Sequence, residues 1–410
     1  MPKVAFKTLG CRLNQAETDQ MAEDLMAIGF DVVDEDAPPD VVVVNTCTVT
    51  SEATRGSRHS SVKAVSTNPG ALVVVAGCYP AAEPQEAAEI PGVGLVIDND
   101  GKDSLAKLVA SRLGIREKPR EPSTLGVPRK LSVTGRKRIN LKVQTGCDEW
   151  CTFCIIPRTR GPLRSLPLED VLGQARQKVD EGARELVLTG VHLGKYGWDE
   201  GRPDDDLLAL LEGLLAIEGL TRIRLSSILS KHLTPRVVAL IAREHRICRF
   251  LHVPLQAGSD DVLERMNRPY RIDDYLEAIG RAKDEIDGLS LSTDVIVGFP
   301  GETSDQFSRT MEVCERVGYM KLHVFRYSPR PGTPSASWPD QVPGLEKKAR
   351  SKELIALGRS IRLDFNRSHV GYRREVLVEG QMNSGDLVGH TDDFLRITFP
   401  GPPHLIDRLA

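Results

Sequence analysis

Two successive series of alternating strands and helices, followed by a short strand-rich tail, predict a multidomain α/β protein. The expected parts are an N-terminal doubly wound parallel-sheet domain, a central partial (β/α)6 barrel and a small C-terminal β-barrel cut short at its last strand. Three observations carry this. Unbroken Val/Leu/Ala runs at 41–44 and 72–76 read as strands buried on both faces, hence a parallel sheet. Six further strand–helix units follow, fewer than the eight of a closed barrel. The tail alternates apolar and polar residues between Gly, Asn and Asp turns. A length of 410 residues itself calls for two or three domains.

In the first domain, residues 1–113, strands are expected at 4–9, 30–33, 41–45, 72–76 and 95–97, with helices at 16–28, 51–66 and 102–113. No Gly-x-Gly-x-x-Gly turn follows the first strand, so nothing points to a dinucleotide site. Residues 114–138 are basic, proline-containing and without apolar periodicity, and read as a linker. The second domain, residues 139–345, has strands at 139–144, 185–189, 222–226, 250–255, 289–297 and 321–327, with helices such as 168–182 and 205–217 between them. A basic connecting helix occupies 346–371 and the β module 372–410.

The net charge of −3 conceals segregation: residues 112–142 carry +8, residues 345–374 carry +6, and the remainder −17. Basic stretches on an acidic body fit either a local polyanion contact or a linker and a solvated helix face. The apolar runs are far shorter than a membrane span, and no apolar leader is visible, which points to the cytoplasm and no membrane. There, eight cysteines are expected as metal ligands, catalysts or core residues rather than disulfides.

Cys147, Cys151 and Cys154 form C-x3-C-x2-C directly after the first strand of the second domain. Three thiolates on one loop suit a [4Fe–4S] cube with one open iron, and zinc is the alternative. No fourth Cys or His is close in sequence; the next is His192. Cys11, Cys47 and Cys78 each sit just past the carboxyl end of a predicted parallel strand. Such ends converge on one crevice, so these three read as a second cluster site or, alternatively, as small buried residues. Cys248 and Cys314 have apolar neighbours and read as core.

These cysteines carry a resemblance. Cys147-Asp-Glu-Trp-Cys151-Thr-Phe-Cys154, with Phe153 before the last cysteine, resembles the radical S-adenosylmethionine signature. Thr8-Leu-Gly-Cys-Arg-Leu-Asn-Gln15 and Val43-Val-Asn-Thr-Cys-Thr-Val49 resemble the extra domain of the methylthiotransferases. Cys154-Ile-Ile-Pro157 with Arg160-Gly161, Pro254-Leu-Gln-Ala-Gly-Ser259 and residues 294–301 with Glu302 are similar too, and the tail resembles the small RNA-holding β-barrel called TRAM. The resemblance implies two [4Fe–4S] clusters, S-adenosylmethionine, and tRNA as partner. The Cys147 cluster would cleave the cofactor to methionine and a 5′-deoxyadenosyl radical, and the Cys11 cluster would supply a methylated sulfur. An unactivated aromatic C–H such as adenine C2 calls for radical chemistry of this kind. An electron donor such as flavodoxin or ferredoxin is implied, and the sulfur source is unspecified.

Within the family, Gly-Cys-Arg-Leu-Asn-Gln resembles the branch acting on N6-threonylcarbamoyladenosine. Thr145 and Leu229 stand where acidic residues are usual. By position at carboxyl ends of barrel strands, Thr189, Gly190, Ser226, Ser227, Gln256, Asp294 and Arg326 are cofactor or substrate candidates, with Phe153 beside the cluster. His252 reads as a strand residue satisfied by its neighbours. The alternatives are methylthiolation of isopentenyladenosine or of a ribosomal protein, an iron–sulfur redox sensor that binds RNA, and a zinc-stabilised RNA-binding protein.

Overall fold

The computed structural model describes residues 1–34, 37–115, 137–201 and 206–410. Five parallel strands open the chain: β1 (Lys3–Thr8), β2 (Asp31–Val32), β3 (Val41–Thr46), β4 (Leu72–Gly77) and β5 (Val93–Ile97), in the order β2-β1-β3-β4-β5. Helices α1 (Arg12–Ala27), α2 (Ser51–Thr67), α3 (Cys78–Ala82), α4 (Pro84–Ala88) and α5 (Leu105–Arg112) cover both faces. The valine run of β3 shows why. Val41 and Val43 join a core with Met21, Leu25, Leu105 and Val109, while Val42 and Val44 join another with Ala64, Tyr79 and Ala87. Every side chain of the run is buried, so alternation is absent and the strand is central.

The second unit is an open barrel. Strands β6 (Arg138–Lys142), β9 (Glu185–Thr189) and β10 (Arg222–Leu225) form one parallel sheet, with a small β7 (Gln144–Thr145) and β8 (Arg164–Ser165) pair beside it. Strands β11 (Phe250–His252), β12 (Ser290–Val297) and β13 (Lys321–Arg326) form another. Parallel bridges Ile223–Ile247 and Ser227–His252 join the two into one six-stranded wall. Its helices are α6 (Ile156–Arg160), α7 (Leu168–Asp180), α8 (Asp206–Leu215), α9 (Pro235–Arg243), α10 (Asp260–Arg265), α11 (Ile272–Glu285) and α12 (Ser304–Val317). Edge strands β6 and β13 do not pair among the described residues. Helix α1 of the first unit lies along β6, where Asn140 donates to Gln15 at 3.1 Å.

The basic helix α13 (Gly344–Ser368) packs on β13 and α12. It begins two residues before and ends three before the expected 346–371, and only Arg350 and Leu354 are buried along its 25 residues. Strand β6 begins at Arg138, one residue before the expected start; the rest of the expected linker lies outside the described residues apart from Gly114, Ile115 and Lys137.

The tail forms antiparallel β14 (Val376–Gln381), β15 (Leu387–Thr391) and β16 (Arg396–Phe399). Val376 and Ala410 exchange backbone hydrogen bonds of 2.8 and 2.9 Å, and Val378 pairs with Asp407 and Arg408, so residues 407–410 run antiparallel beside β14. This module caps the amino ends of the barrel strands. Phe394, held at φ +70°, stacks 4.5 Å from Phe250 and lies under the guanidinium groups of Arg224 and Arg138 at 4.8 and 4.9 Å. Arg222 donates to the carbonyls of Glu375 and His390, and Arg224 to those of Thr391 and Asp392. Lys137 and Arg138, part of the first basic stretch, are engaged here by Asp407 and Glu379 at 2.7 and 3.0 Å. At this end the stretch holds the module rather than lying open to a polyanion.

Candidate active site

The three N-terminal cysteines meet because their strands are in register. Thr8 pairs with Asn45 and Thr46 with Gly77, so Cys11, Cys47 and Cys78 leave the sheet at one level. Gly10 and Gly77 turn the chain at φ +95° and +102°, and Gly146 does the same before Cys147 at +71°. Side chains are sterically disfavoured there. A Cβ on Gly10 would come within 2.6 Å of the Cys47 Cβ, and one on Gly146 within 1.8 Å of the Pro162 carbonyl. These glycines allow the close approach that gathers the thiols.

The surrounding hydrogen bonds fix the loops. Asn14 donates to the carbonyls of Leu9 and Thr46 at 2.7 and 2.8 Å, and Ser57 exchanges bonds with the Cys47 backbone at 2.6 and 3.0 Å. Asn99 links Cys78 to α6: its amide lies 3.5 Å from Cys78 Sγ and donates to the Thr159 carbonyl at 2.7 Å. Thr159 lies on α6, directly after the Cys147–Cys154 loop.

Arg160, the last residue of α6, is the main tie between the halves. It is 2% exposed and donates to both Glu17 carboxylate oxygens at 2.7 and 3.1 Å and to Asn14 at 2.5 Å. Glu17 also pairs with Lys102 at 2.5 Å. Burial disfavours the charged Glu17, but Lys102 and Arg160 overcome it and hold the carboxyl well below its ordinary range. Thr145, where an acid is usual, accepts from Arg160 at 3.3 Å, so the guanidinium takes its counter-charge from Glu17.

The Cys147–Cys154 loop sits at the carboxyl end of β6–β7, as expected. It is clamped from the α10–α11 turn: Thr152 donates to the carbonyls of Met266 (from N) and Arg265 (from Oγ1) at 3.1 and 2.8 Å, and Asn267 donates to the Trp150 carbonyl at 2.9 Å. Arg268 from this turn donates to Cys151 Sγ at 3.2 Å. Sequence reasoning missed this turn, because its residues stand more than a hundred positions away. It also missed His192, whose Nδ1 the fold brings to 4.0 Å from Cys147 Sγ while Nε2 faces His232 Nε2 at 3.2 Å. Burial, with the His232 ring beside His192 and the cations Lys231 and Lys195 beside His232, lowers both and keeps the imidazoles neutral.

Burial pushes the Cys47 and Cys147 thiols up to about 11 and Cys154 to about 12. Such thiols become thiolates at neutral pH only against a cationic partner. Among the described residues, donor atoms gather within 4.8 Å only at Cys147–Asp148–His192 and at His252–Asp294–His323. One zinc would draw its sulfurs to about 3.8 Å of one another. Neither cysteine triplet is that tight, which suits a multi-iron cube.

The other candidates divide. Thr189 is buried, its hydroxyl satisfied by the Val187 carbonyl at 3.0 Å. Gly190 is required by packing, since a Cβ would meet Gln144 Oε1 at 2.7 Å. Ser226 holds a buried hydroxyl with no partner, and Ser227 bridges to His252. Gln256 is held at φ +65° and bridges Val295. Asp294 is half-buried, 3.3 Å from His252 Nε2. His252 is satisfied by Ser292 and Asp294, as expected. Phe153 packs edge-on against Phe299. Arg326 is exposed at the end of β13, and Leu229 is buried. Cys248 and Cys314 are buried core residues.

Residues 141–314 match the radical SAM superfamily, and residues 3–98 match an uncharacterized protein family. In the solved structures, a radical S-adenosylmethionine methyltransferase from Kitasatospora setae superposes with a TM-score of 0.61 at 16% identity, covering 82% of this chain and 77% of that one. The cobalamin-dependent radical enzyme OxsB gives 0.56 at 13% identity, covering 98% and 65%. Both share the fold. The open barrel and its cysteine loop thus define a radical S-adenosylmethionine enzyme. Threonylcarbamoyladenosine tRNA methylthiotransferases of Bacillus subtilis and Aquifex aeolicus are 36% and 39% identical, covering 100% and 92% of this chain and 93% and 92% of theirs. A tRNA-2-methylthio-N(6)-dimethylallyladenosine synthase of Moorella thermoacetica is 34% identical over 98% of this chain and 93% of its own. The chain belongs to the radical SAM tRNA methylthiotransferases, enzymes that use S-adenosylmethionine and two [4Fe–4S] clusters. No described helix is long and apolar enough to cross a membrane.

Proposed function

We propose that this enzyme transfers a methylthio group to C2 of N6-threonylcarbamoyladenosine in tRNA, beside the anticodon on its 3′ side. The observation that carries the reading is Cys11-Arg-Leu-Asn-Gln15 at the head of α1, together with relatives of that name at 36% and 39% identity. Cys147, Cys151 and Cys154 would hold one cluster and Cys11, Cys47 and Cys78 the other. When bound, the clusters and S-adenosylmethionine supply the one-electron chemistry and the sulfur that an unactivated aromatic carbon requires.

The chain's own residues orient and enclose. Asn99 and Arg160 hold the two cysteine sets at fixed separation, which such a transfer needs because small displacements cost large factors in rate. Ser51 and Ser328, 2.6 Å apart, and Arg330 on Thr48 at 2.7 Å fasten the far side of the same crevice. An anticodon-loop base suits the site, since exposed loop bases can be splayed into a pocket. Ser226, Asp294 and Gln256, at the carboxyl ends of their strands, would serve as substrate or cofactor contacts. A low-potential one-electron carrier of the flavodoxin or ferredoxin type would serve as donor, and the exposed cations of α13 would meet tRNA phosphates.

Mass spectrometry of tRNA nucleosides from a strain lacking this protein tests the assignment. Loss of 2-methylthio-N6-threonylcarbamoyladenosine is expected. Its persistence, with no other enzyme able to make it, overturns the reading. Loss of the isopentenyl derivative instead moves the protein to the dimethylallyladenosine branch.

A further inference from the structure

Arg268 is a half-buried cation with no carboxylate partner among the described residues, and its Nη2 is fully buried. It sits in the turn between α10 and α11, with its backbone N–H on the Leu263 carbonyl at 2.9 Å. Nε donates to Tyr270 Oη at 3.2 Å, and the guanidinium lies 5.1 Å from the centre of the Tyr270 ring. That phenol is anchored in turn on the carbonyls of Pro254 and Leu255 at 3.0 Å. Nη1 donates to Cys151 Sγ at 3.2 Å. Nη2 is buried and has no partner at all. Among the described residues no ion pair joins an acid to Arg268, and its one sulfur partner is Cys151.

A cation in this position is costly unless something negative completes its surroundings. An orphaned buried N–H carries a further desolvation penalty. Both deficits are met if the sulfur cage reaches past Cys151. Three thiolates on a [4Fe–4S] core leave a net negative charge, and its inorganic sulfides are hydrogen-bond acceptors lying next to the cysteine sulfurs. Nη2 is fixed by the same planar fork that seats Nη1, so its direction is set before the cluster arrives.

We propose that Arg268 tunes the electron poise of the cluster on Cys147, Cys151 and Cys154, Nη1 donating to the Cys151 thiolate and Nη2 to an inorganic sulfide of the cube. One electron from the donor makes the cluster more negative, and a fixed, half-buried cation with two N–H···S bonds favours that reduced state. The inference rests on the reading that this triplet holds a cluster, and it concerns a side chain that lies outside the cysteine signature.

The test uses full-length protein with Cys11, Cys47 and Cys78 replaced by Ala, so that one cluster remains, reconstituted anaerobically. Iron content is measured first: absence of iron in this parent refutes the cluster reading itself. With iron present, EPR-monitored redox titration compares the parent with Arg268→Gln and Arg268→Lys. Removal of the charge should lower the reduced-to-oxidised ratio at fixed potential by about tenfold, equivalent to about 59 mV for one electron. Arg268→Lys, which keeps the charge but not the fork, should fall between. Full iron loading with an unchanged midpoint in Arg268→Gln overturns the proposal. If Arg268→Gln fails to hold iron, Arg268→Lys decides: an unchanged midpoint overturns the proposal, and a lowered one supports it. A second readout is the exchangeable-proton coupling of the reduced cluster by ENDOR in D2O, which should be weaker in Arg268→Gln than in the parent, the Glu149 N–H on Cys147 Sγ remaining in both.

Discussion

Glu17→Gln should be among the most damaging single changes outside the cysteines. The carboxylate is 4% exposed and serves Arg160 at 2.7 and 3.1 Å, Lys102 at 2.5 Å and Lys142 at 3.8 Å. The amide keeps the shape but removes the charge, leaving Arg160 and Lys102 buried beside each other without compensation. Breaking a buried pair from one side costs about 3–5 kcal/mol. The same substitution in an Arg160→Met background should cost much less, and a coupling of about 2 kcal/mol or more is expected from a double-mutant cycle. Urea denaturation of the apoprotein supplies the free energies, and amide exchange over α1 and α6 localises the effect. The pH dependence follows from the same carboxyl. Its folded pKa is depressed, so its contribution is fully present above the ordinary value of 4.5 and is lost progressively as pH falls below it. Glu17→Gln should flatten that acid limb. A cost below about 1 kcal/mol with no coupling to Arg160, or an unaltered acid limb, would refute the argument that this network joins the two cysteine-bearing units.

Alanine replacement of the Cys147, Cys151 and Cys154 set, or of the Cys11, Cys47 and Cys78 set, should each leave about half the iron after anaerobic reconstitution; stoichiometric zinc, or loss of all iron from both folded variants, contradicts two separate clusters. Formation of 5′-deoxyadenosine should vanish with the first replacement and survive the second. Phe394→Ala removes a ring seated on Phe250, Arg224 and Arg138 and should cost about 3–5 kcal/mol, read as faster proteolysis after Ser368 while cluster assembly persists; proteolysis at the wild-type rate counts against the plug. Charge reversal at exposed Lys348, Lys352 and Arg359 on α13 should lower the log–log salt slope of tRNA binding by roughly 0.7–0.9 per lost phosphate contact; an unchanged slope removes α13 from the interface.

What could be read from the sequence was what depends on local pattern. The valine run of β3 announced a central parallel strand because each of its side chains meets a helix layer, and the addresses of Cys11, Cys47 and Cys78 followed because parallel strands in register end at one level. The C-x3-C-x2-C loop carried its chemistry in its spacing. The partners of these thiols were not legible. Arg268, Asn267 and His192 reach the loop through turns whose direction is set by packing, and no periodicity encodes that. Nothing in the pattern of α1 marks Glu17; the docking of α6 and of Lys102 makes it an interior counter-ion. Phe394 stood in a turn between strands, where an aromatic gives no hint of lying beneath three guanidinium groups. Arg326 lies exposed at the end of β13, and a strand-end position alone does not say what such a side chain meets.

The position of α1 explains why the two halves work as one body. An open six-stranded barrel leaves β6 with an unpaired edge, a liability for any sheet. Here α1 lies along that edge, Gln15 and Glu17 meeting Asn140 and Lys142 while Arg12 reaches under the barrel to within 5.6 Å of the Phe394 ring. The helix begins immediately after Cys11, so the element that closes the barrel also sets the position of one thiol of the other cysteine set. A movement of α1 by a fraction of a turn would expose the β6 edge, strand Arg160 and displace Cys11 together. Rigid placement of the two cysteine sets is therefore coupled to the stability of the barrel itself. A variant that loosens this seam should lose transfer to substrate before it loses cofactor cleavage, since cleavage needs only the loop on the barrel side. Comparing the two rates in Glu17→Gln separates this coupling from a general loss of fold: equal losses would mean that the seam supports the whole molecule, and a selective loss of transfer that it sets the distance between the two centres.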